Sequence, residues 1–261
     1  MNIIVCMKRT PDTATKITVK DGQIDPACLD TWIINPYDEY AIEEALQINE
    51  RSGGGKITLV SVGPPEAQET IRKGLAMGCD EAVHLVDDAF ADLDPLGAAK
   101  VLAAAIRRLD DFDLVYTGWK GVDEDHGQTG IYLAEFLDLP HVSMVVKIEE
   151  IGDGSARVER EVEGGHELVR TSLPALFTAQ KGENEPRYPT LRGIMGAKKK
   201  PFQTWSAADL GLDPADLQPV QTVMAVSLPP QRQSGRIVRG NTVQEQAREL
   251  ARLLHEEAKV I

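Results

Sequence analysis

A strand-then-helix pattern repeats along the first half of the chain and constrains the fold more than any other feature. Residues 2–7 form an apolar, largely β-branched run, and later apolar runs at 56–62, 80–86 and 112–117 are each preceded by an amphipathic segment. Strands that alternate with helices of this length form right-handed βαβ units around a parallel sheet covered on both faces. The sequence therefore predicts an α/β fold with a doubly wound, mainly parallel sheet.

Proline, asparagine and glycine mark where the predicted helices begin and end. Asn35 is predicted to be the N-cap of the first helix and Pro36 its first residue, and a later helix opens at Asp94-Pro95. The run Gly53-Gly54-Gly55 precedes a strand, so we interpret it as a helix exit and not as a phosphate-binding loop. Residues 16–25 have the pattern of a small hairpin.

The pattern changes after residue 141. Four short apolar segments follow without helices between them, and the first three are separated by glycine-rich turns. We expect them to form an antiparallel extension of the sheet. The segments are 142–148, 157–162, 167–172 and 175–179.

From residue 183 onward the chain is rich in proline and turn residues until a final amphipathic helix near 242–258. A long segment with little core of its own usually reaches over a partner. We therefore predict an α/β domain over 1–182, a loop with a basic run over 183–200, and a C-terminal arm with a terminal helix over 201–261.

An acidic, glycine-containing segment at residues 123–130 connects the strand at 112–117 to a predicted helix at 131–137. Open α/β sheets bind ligands at turns of this kind. Free N–H groups of the first helical turn, with the Gln128 and Thr129 side chains, are suitable donors for a phosphate. An ordinary loop with Asp125 or Thr129 as N-cap is the alternative, and the sequence leaves both open.

Two other positions bear on nucleotide binding. Val62-Gly63-Pro64-Pro65, at the end of the second strand, is either a backbone contact for a nucleotide or plain turn chemistry. The first strand is followed by Lys8-Arg9-Thr10-Pro11 and not by Gly-x-Gly-x-x-Gly, so the dinucleotide fingerprint is absent.

Charge and composition exclude several classes of protein. The net charge of −13 argues against general nucleic-acid or anionic-membrane binding. No apolar run reaches the roughly 18–20 residues that span a bilayer, and residues 1–9 do not resemble a signal peptide, so we expect a cytoplasmic or equivalent soluble location without membrane insertion. Three cysteines without close pairing, Cys6, Cys28 and Cys79, predict neither disulfides nor a metal site.

No histidine, serine or cysteine lies in a recognisable nucleophile or metal motif. His126, His141 and His255 are isolated from one another in the sequence. We therefore expect no independent catalysis by this chain.

Four motifs resemble the β subunit of electron-transfer flavoproteins, and the match extends over nearly the whole chain, up to residue 232. The last of the four is the longest and the most specific. The motifs are Asn35-Pro36-Tyr37 with Glu39, Ala41 and Glu43-Glu44-Ala45; Asp123, Asp125 and Gln128-Thr129-Gly130; Arg157 with Glu159-Arg160; and Asn184-Glu185-Pro186-Arg187-Tyr188 with Thr190-Leu191, Ile194-Met195 and Ala197-Lys198-Lys199-Lys200.

The resemblance implies a heterodimer with an α subunit, which holds most of a redox-active FAD. The β subunit of this family has a Rossmann-like, adenine-nucleotide α-hydrolase-like fold and usually binds AMP as a structural ligand. Carried over to this sequence, the AMP contacts are Cys6, Met7, Asn35, Val62, Gly63, Asp123, Asp125, His126, Gly127, Gln128 and Thr129. The last three are expected to hold the phosphate.

The resemblance also implies electron transfer between proteins. Residues 183–200 correspond to the recognition loop of the family, in which an apolar side chain, here Leu191, docks a partner such as an acyl-CoA dehydrogenase. A membrane-bound quinone reductase is the expected electron acceptor. Tyr37 corresponds to an aromatic residue near the flavin, although a core aromatic is an equal interpretation. Lys198, Lys199 and Lys200 are either a steering patch or a solvated charge run.

Other interpretations remain at this stage. Some members of the family bifurcate electrons and bind a second FAD in the AMP site; here Glu124 and Thr129-Gly130-Ile131 favour the AMP form, while His126-Gly127 departs from the usual pair. A free-standing ATP-cleaving enzyme would need a Ser-Gly-Gly-x-Asp-Ser-type loop, which is absent. A stress-type nucleotide-binding module would not need the long segment after residue 183.

Overall fold

A nine-stranded sheet is the largest element of the fold, within the residues that the computed structural model describes, which are 1–109, 111–182, 184–231 and 234–261. Glu183, in the predicted loop, and Arg232, at the end of the resembling stretch, lie outside these residues. The chain divides into two compact units, Met1–Ala225 and Val226–Ile261. The predicted division at residues 182 and 200 was drawn by expected role and not by compactness, and it remains a prediction.

The strands and helices are numbered in chain order. The strands are β1 (Ile3–Cys6), β2 (Arg9–Pro11), β3 (Val19–Lys20), β4 (Gln23–Ile24), β5 (Trp32–Ile34), β6 (Ile57–Val62), β7 (Glu81–Leu85), β8 (Leu114–Gly118), β9 (His141–Gly152), β10 (Ser155–Val162), β11 (Gly165–Ser172), β12 (Ala175–Ala179) and β13 (Phe202–Trp205). The α-helices are α1 (Pro36–Arg51), α2 (Ala67–Met77), α3 (Pro95–Ile106), α4 (Thr129–Leu137), α5 (Leu191–Ala197), α6 (Ala207–Leu210) and α7 (Val243–Glu256).

The large sheet has the order β11-β10-β9-β12-β8-β1-β6-β7-β13. Seven neighbouring strands of this sheet are parallel: β9, β12, β8, β1, β6, β7 and β13. The other two, β10 and β11, add an antiparallel extension beside β9. The predicted α/β fold with a mainly parallel sheet is confirmed. The predicted hairpin at residues 16–25 is the β3–β4 pair.

One strand of the predicted antiparallel extension was assigned wrongly. Residues 175–179 form β12, which runs parallel to β8 on one side and to β9 on the other. All five of its residues are buried. A strand that is buried on both faces is typical of the interior of a parallel sheet, which explains its position between two parallel neighbours.

Alternating side chains of the central strands build a core on each face of the sheet. Ile3 and Val5 of β1 face α1 and α2, whereas Ile4 and Cys6 face α3 and α4. This alternation follows from the two-residue period of a strand, and it requires every residue of β1 to be apolar.

Residues beyond 184 also contribute to the first unit. Helix α5 packs against α2, and β13 extends the sheet by pairing in parallel with β7. The final helix α7, in the second unit, lies within the predicted range of 242–258. Across the described ranges, no helix is both long enough and apolar enough to cross a membrane.

Candidate functional site

A cavity of about 660 Å³ opens at the carboxyl ends of four parallel strands. The loops that follow β1, β6, β7 and β8 form its walls, and the first turns of α3 and α4 face it. Ligands of open α/β sheets bind outside the carboxyl ends of the strands, and this volume is within the usual range for ligand pockets, about 300–1,000 Å³.

All but one of the residues that the sequence analysis proposed for nucleotide contact line this cavity. They are Cys6, Met7, Asn35, Val62, Gly63, Asp123, His126, Gly127, Gln128 and Thr129. The exception is Asp125, whose carboxylate lies 3.0 Å from the Lys120 ammonium and is not part of the lining. Contact with a nucleotide itself stays a prediction.

The amino terminus of α4 faces the cavity without a side-chain cap. Gln128 is at the N-cap position and makes no side-chain capping bond, so the predicted alternative, capping by Asp125 or Thr129, is wrong. The side-chain oxygen Oε1 of Gln128 is buried and, within the described ranges, has no hydrogen-bond partner. The free N–H groups of a first helical turn and the helix dipole both favour an anion at such a position.

Gly130 allows α4 to begin this close to the sheet. A Cβ at this position would lie 2.8 Å from Thr178 Cγ2 on β12 and 2.9 Å from Thr117 Oγ1 on β8. Both distances are shorter than a real Cβ contact, so a side chain at residue 130 would push the start of the helix away from the strands. The close packing of α4 on the sheet therefore requires a glycine at position 130.

Two lysines offset the negative charge at the rim of the cavity. The Lys8 ammonium lies 2.8 Å from Asp123 Oδ2 and 2.9 Å from Glu124 Oε2, while Lys120 pairs with Asp125. Burial lowers the pKa of Lys8, but Asp123 and Glu124 outweigh burial, so the pKa lies above its ordinary value. The rim of the cavity therefore repels an entering anion less than its three acidic residues alone would.

Asp38 is a buried carboxylate in the lining that joins three elements. From the first turn of α1, its Oδ2 accepts the Lys8 N–H at 2.6 Å and its Oδ1 accepts the Gly118 N–H at 2.9 Å. The residue is 4% exposed, and burial raises the pKa of its carboxyl to about 7 although these hydrogen bonds oppose the shift. Nothing in the sequence had indicated a role for Asp38 in this site.

Asn35 is at the predicted N-cap position of α1, but its side chain does not cap the helix. Its Nδ2 donates to the Lys120 carbonyl at 2.9 Å, and its Oδ1 accepts the Val122 N–H at 3.1 Å. The side chain therefore fixes the loop after β8, which forms one wall of the cavity.

Aromatic and cationic side chains lie beside this wall. The rings of Tyr37 and Trp119 meet edge to face with centroids 5.8 Å apart, and the Lys120 ammonium is 4.5 Å from the centre of the Trp119 ring. Trp119 and Lys120 line the cavity, whereas Tyr37 does not. Sequence analysis missed Lys8, Asp38, Trp119 and Lys120; the one available signal was their position directly after a buried strand or at a helix start.

Leu191 is the first residue of α5 and is 76% exposed. Tyr188, Ile194 and Met195, within four residues of it in the sequence, are also exposed. The predicted basic run is divided, since Lys198 and Lys199 are exposed while Lys200 is half-buried. The Lys200 ammonium donates to the carbonyl oxygens of Leu75 at 2.9 Å and Cys79 at 2.6 Å, at the end of α2.

The thiols of Cys6 and Cys79 are free and buried. Among the described residues, no group of three or more His, Cys, Asp and Glu side chains could hold a metal ion. Burial raises the pKa of Cys6 and of Cys79, so both thiols are neutral near pH 7. Together, the sheet and the cavity define an α/β protein with a ligand-sized cavity at the carboxyl ends of its parallel strands.

Comparisons with known proteins give the family. The model of the electron transfer flavoprotein domain matches residues 29–210. The chain is 46% identical over 262 residues to the electron transfer flavoprotein subunit beta of Bacillus subtilis (strain 168), covering 100% of both chains. It is 40% identical over 240 residues to the human protein of that name, covering 90% of this chain and 91% of the human one.

A third relative belongs to a larger assembly. The caffeyl-CoA reductase-Etf complex subunit CarD of Acetobacterium woodii is 38% identical over 261 residues, covering 98% of each chain. The chain described here belongs to the electron transfer flavoprotein family, and within it to the β subunits. It is thus a subunit of an electron-transfer protein.

Proposed function

We propose that this chain pairs with an α subunit in a heterodimeric electron transfer flavoprotein and binds AMP in the 660 Å³ cavity. The observation that carries the AMP assignment is the uncapped amino terminus of α4, with the buried Oε1 of Gln128 facing no protein donor in the described part of the chain. A phosphate accepts hydrogen bonds from the N–H groups there. A hydroxyl of the ligand, or a water molecule beside it, then donates a hydrogen bond to Gln128 Oε1.

The charge of the lining fits a monoanionic or dianionic ligand. Lys8 and Lys120 already neutralise much of the rim, and Asp38 at the base has a pKa near 7, so it carries only part of a charge at neutral pH. Val62, Phe90 and Leu102 supply an apolar wall for a flat base. The remaining rim carboxylate oxygens accept hydrogen bonds from ribose hydroxyls.

The redox chemistry in this proposal comes from FAD, which accepts and releases electrons when bound mainly by the α subunit. This chain's part is to hold the α subunit and to supply one side of the flavin environment. Tyr37, packed on Trp119 beside the cavity wall, is the residue that we assign to that side. In this proposal, the chain has no catalytic activity of its own.

Electrons are proposed to arrive from an acyl-CoA or related dehydrogenase and to leave to a quinone reductase. The docking contact on this chain is Leu191, which is 76% exposed and adjoins Tyr188 and Met195. A small apolar anchor of this kind fits a transient complex, because electron exchange requires fast dissociation as well as recognition.

A second candidate is an electron-bifurcating member of the family with a second FAD in the same cavity. The similarity to a subunit of a caffeyl-CoA reductase-Etf complex favours this candidate, and so does a cavity large enough for more than a mononucleotide. Glu124 and the sequence Thr129-Gly130-Ile131 favour AMP.

Nucleotide stoichiometry tests the proposal. The chain is co-expressed with its α subunit, the complex is denatured, and released AMP and FAD are quantified per heterodimer. One AMP and one FAD are expected; two FAD and no AMP would establish the bifurcating form.

The Gly130→Ala heterodimer should retain FAD and lose AMP, because the added Cβ displaces the start of α4 from Thr178 and Thr117. Gly165→Ala is the matched control, since nothing lies within 4 Å of its added Cβ. Full AMP retention in Gly130→Ala would show that the α4 terminus is not part of the binding site.

A further inference from the structure

The stretch before Leu191 is attached to helix α1 by one arginine. Arg187 Nε lies 2.8 Å from Glu43 Oε2, and its Nη2 lies 2.9 Å from Glu43 Oε1, which is a bidentate pair. The same guanidinium reaches Glu50 at 2.6 Å, and the Arg187 backbone N–H donates to Glu43 at 3.1 Å. The planar guanidinium fixes orientation as well as distance, which a lysine would not do.

The carboxylate that receives this arginine is buried. The Glu43 side chain is 4% exposed, and although burial raises its pKa, the bonds from Arg187 outweigh burial and hold the pKa below its ordinary value. A buried ion pair is rarely the most stabilising choice, because an apolar pair of similar volume often does as well or better. Fixing one conformation is the role for which such pairs are best attested.

Further contacts hold the helix that follows. Arg72 Nη1 donates to the Ala197 carbonyl at 2.6 Å, at the end of α5. In the middle of α5, a Cβ at Gly193 would collide with the Ala76 carbonyl of α2, so the two backbones touch. On the other side of Arg187, Asn184 Nδ2 donates to Glu44. Helix α5 is therefore held at its end and middle, and the segment before it at two residues.

The side chains that these contacts position are exposed and apolar. Tyr188 is 91% exposed, Leu191 76%, Ile194 50% and Met195 66%. No helix or strand is formed at residues 184–190, so hydrogen bonds from side chains set the conformation of this stretch. A binding segment that is already ordered avoids the entropy cost of ordering at the moment of association.

We propose that the Arg187–Glu43 pair is a positioning clamp that holds the segment 188–195 in its docking conformation before the partner dehydrogenase arrives. The inference rests on the proposed docking role of Leu191. Arg187 does not touch the partner in this proposal; it acts through the position of Leu191. Loss of the clamp therefore weakens encounter and leaves the electron-transfer step itself unchanged.

Kinetics of the heterodimer with its acyl-CoA dehydrogenase test the clamp. Arg187→Ala should raise the KM for the flavoprotein on the order of tenfold with kcat unchanged. Arg187→Lys should restore only part of the loss, because a lysine cannot form the bidentate pair. Hydrogen exchange at residues 188–195 should become faster in both variants.

Arg157→Ala is the matched control, since Arg157 also pairs with two carboxylates, Glu149 and Glu150, on the antiparallel extension. It should leave KM and exchange at 188–195 unchanged. If Arg187→Ala does not fold, Arg187→Lys is the test, because it keeps a cation beside Glu43 and Glu50 but cannot form the bidentate pair with Glu43. An increase in KM of about twofold is then expected.

A double-variant cycle separates the two proposals. If Leu191→Ala alone leaves KM unchanged, the docking role fails. If Leu191→Ala raises KM but Arg187→Ala or Arg187→Lys only lowers the melting temperature, docking stands and the clamp is overturned. If both raise KM, the effect of the Arg187 change should disappear in the Leu191→Ala background, and a fully additive effect would overturn the clamp.

Discussion

Asp38 is a carboxylate of the site whose pKa is brought close to neutral pH by its surroundings. It is 4% exposed, and both of its oxygens accept backbone N–H groups, from Lys8 and Gly118. Burial raises its pKa to about 7, so the folded protein binds a proton there that the unfolded chain has already released above about pH 4.

This difference predicts the pH dependence of stability. Because the folded pKa is raised, the contribution of Asp38 is most favourable below about pH 4, falls as the pH rises to about 7, and is constant above that, a total change of up to about 4 kcal/mol. Asp38→Asn should remove this slope. Because one N–H is left unsatisfied, at a cost of about 1–3 kcal/mol, the variant should be the less stable protein near pH 4, and this deficit should shrink or reverse toward pH 8. Urea unfolding of both proteins between pH 4 and 8 measures it, and parallel profiles would contradict the raised pKa.

Single residues were predicted well where their effect is local. Pro36 and Asp94 mark helix starts as expected, because these signals act within one helical turn. The roles of Asn35 and Asp38 were not predicted, since their partners are distant in the sequence. Lys8 lies 30 residues from Asp38, and Gly118, Lys120 and Val122 lie 80 or more residues from the side chains that they contact. Composition and spacing contain no signal for such long-range hydrogen bonds.

At the level of elements, the lysine at the end of the basic run has a structural role. Lys200 donates to two carbonyl oxygens at the end of α2, from Leu75 and Cys79. A cation at a helix carboxyl terminus is stabilised by the helix dipole as well as by hydrogen bonds.

Lys200→Met should therefore destabilise the protein by about 1–2 kcal/mol, through the lost bonds and the unsatisfied carbonyls of α2. Chemical unfolding measures the change. Lys199→Met, at an exposed neighbour, is the control and should stay within about 0.5 kcal/mol of the original protein. Equal effects of the two changes would mean that Lys200 does not cap the helix.

Elements were predicted from the sequence more accurately than their order in the sheet. The apolar runs and their helical partners fixed β1, β6, β7 and β8 to within one or two residues. Residues 175–179 were correctly predicted as a strand but were assigned the wrong direction. Strand direction depends on which neighbours the chain returns to, and β12 pairs with β8, which is more than 55 residues earlier.

At the scale of the whole molecule, we expect the proposed docking to be separable from folding. Leu191 is 76% exposed on α5, so it contributes little to the core of the first unit. Leu191→Ala should slow electron transfer from the dehydrogenase about tenfold or more, the usual effect of truncating an anchor residue, and leave the melting temperature unchanged. Stopped-flow flavin reduction and thermal unfolding of the heterodimer measure both, and unchanged transfer would remove Leu191 from the docking surface.

The two edge strands of the sheet differ in the length of unpaired backbone that they offer to a second molecule. At one end, β13 is four residues long, while at the other end β11 is eight residues long and is paired on one side, with β10. A long free edge is a template for strand addition by a second molecule, which is the first step of fibrillar aggregation. His166, Glu167 and Arg170 place polar and charged side chains of both signs along this edge, so an incoming strand must match them. The charged side chains of β11 thus disfavour the addition of a strand from a second molecule, independently of any redox role.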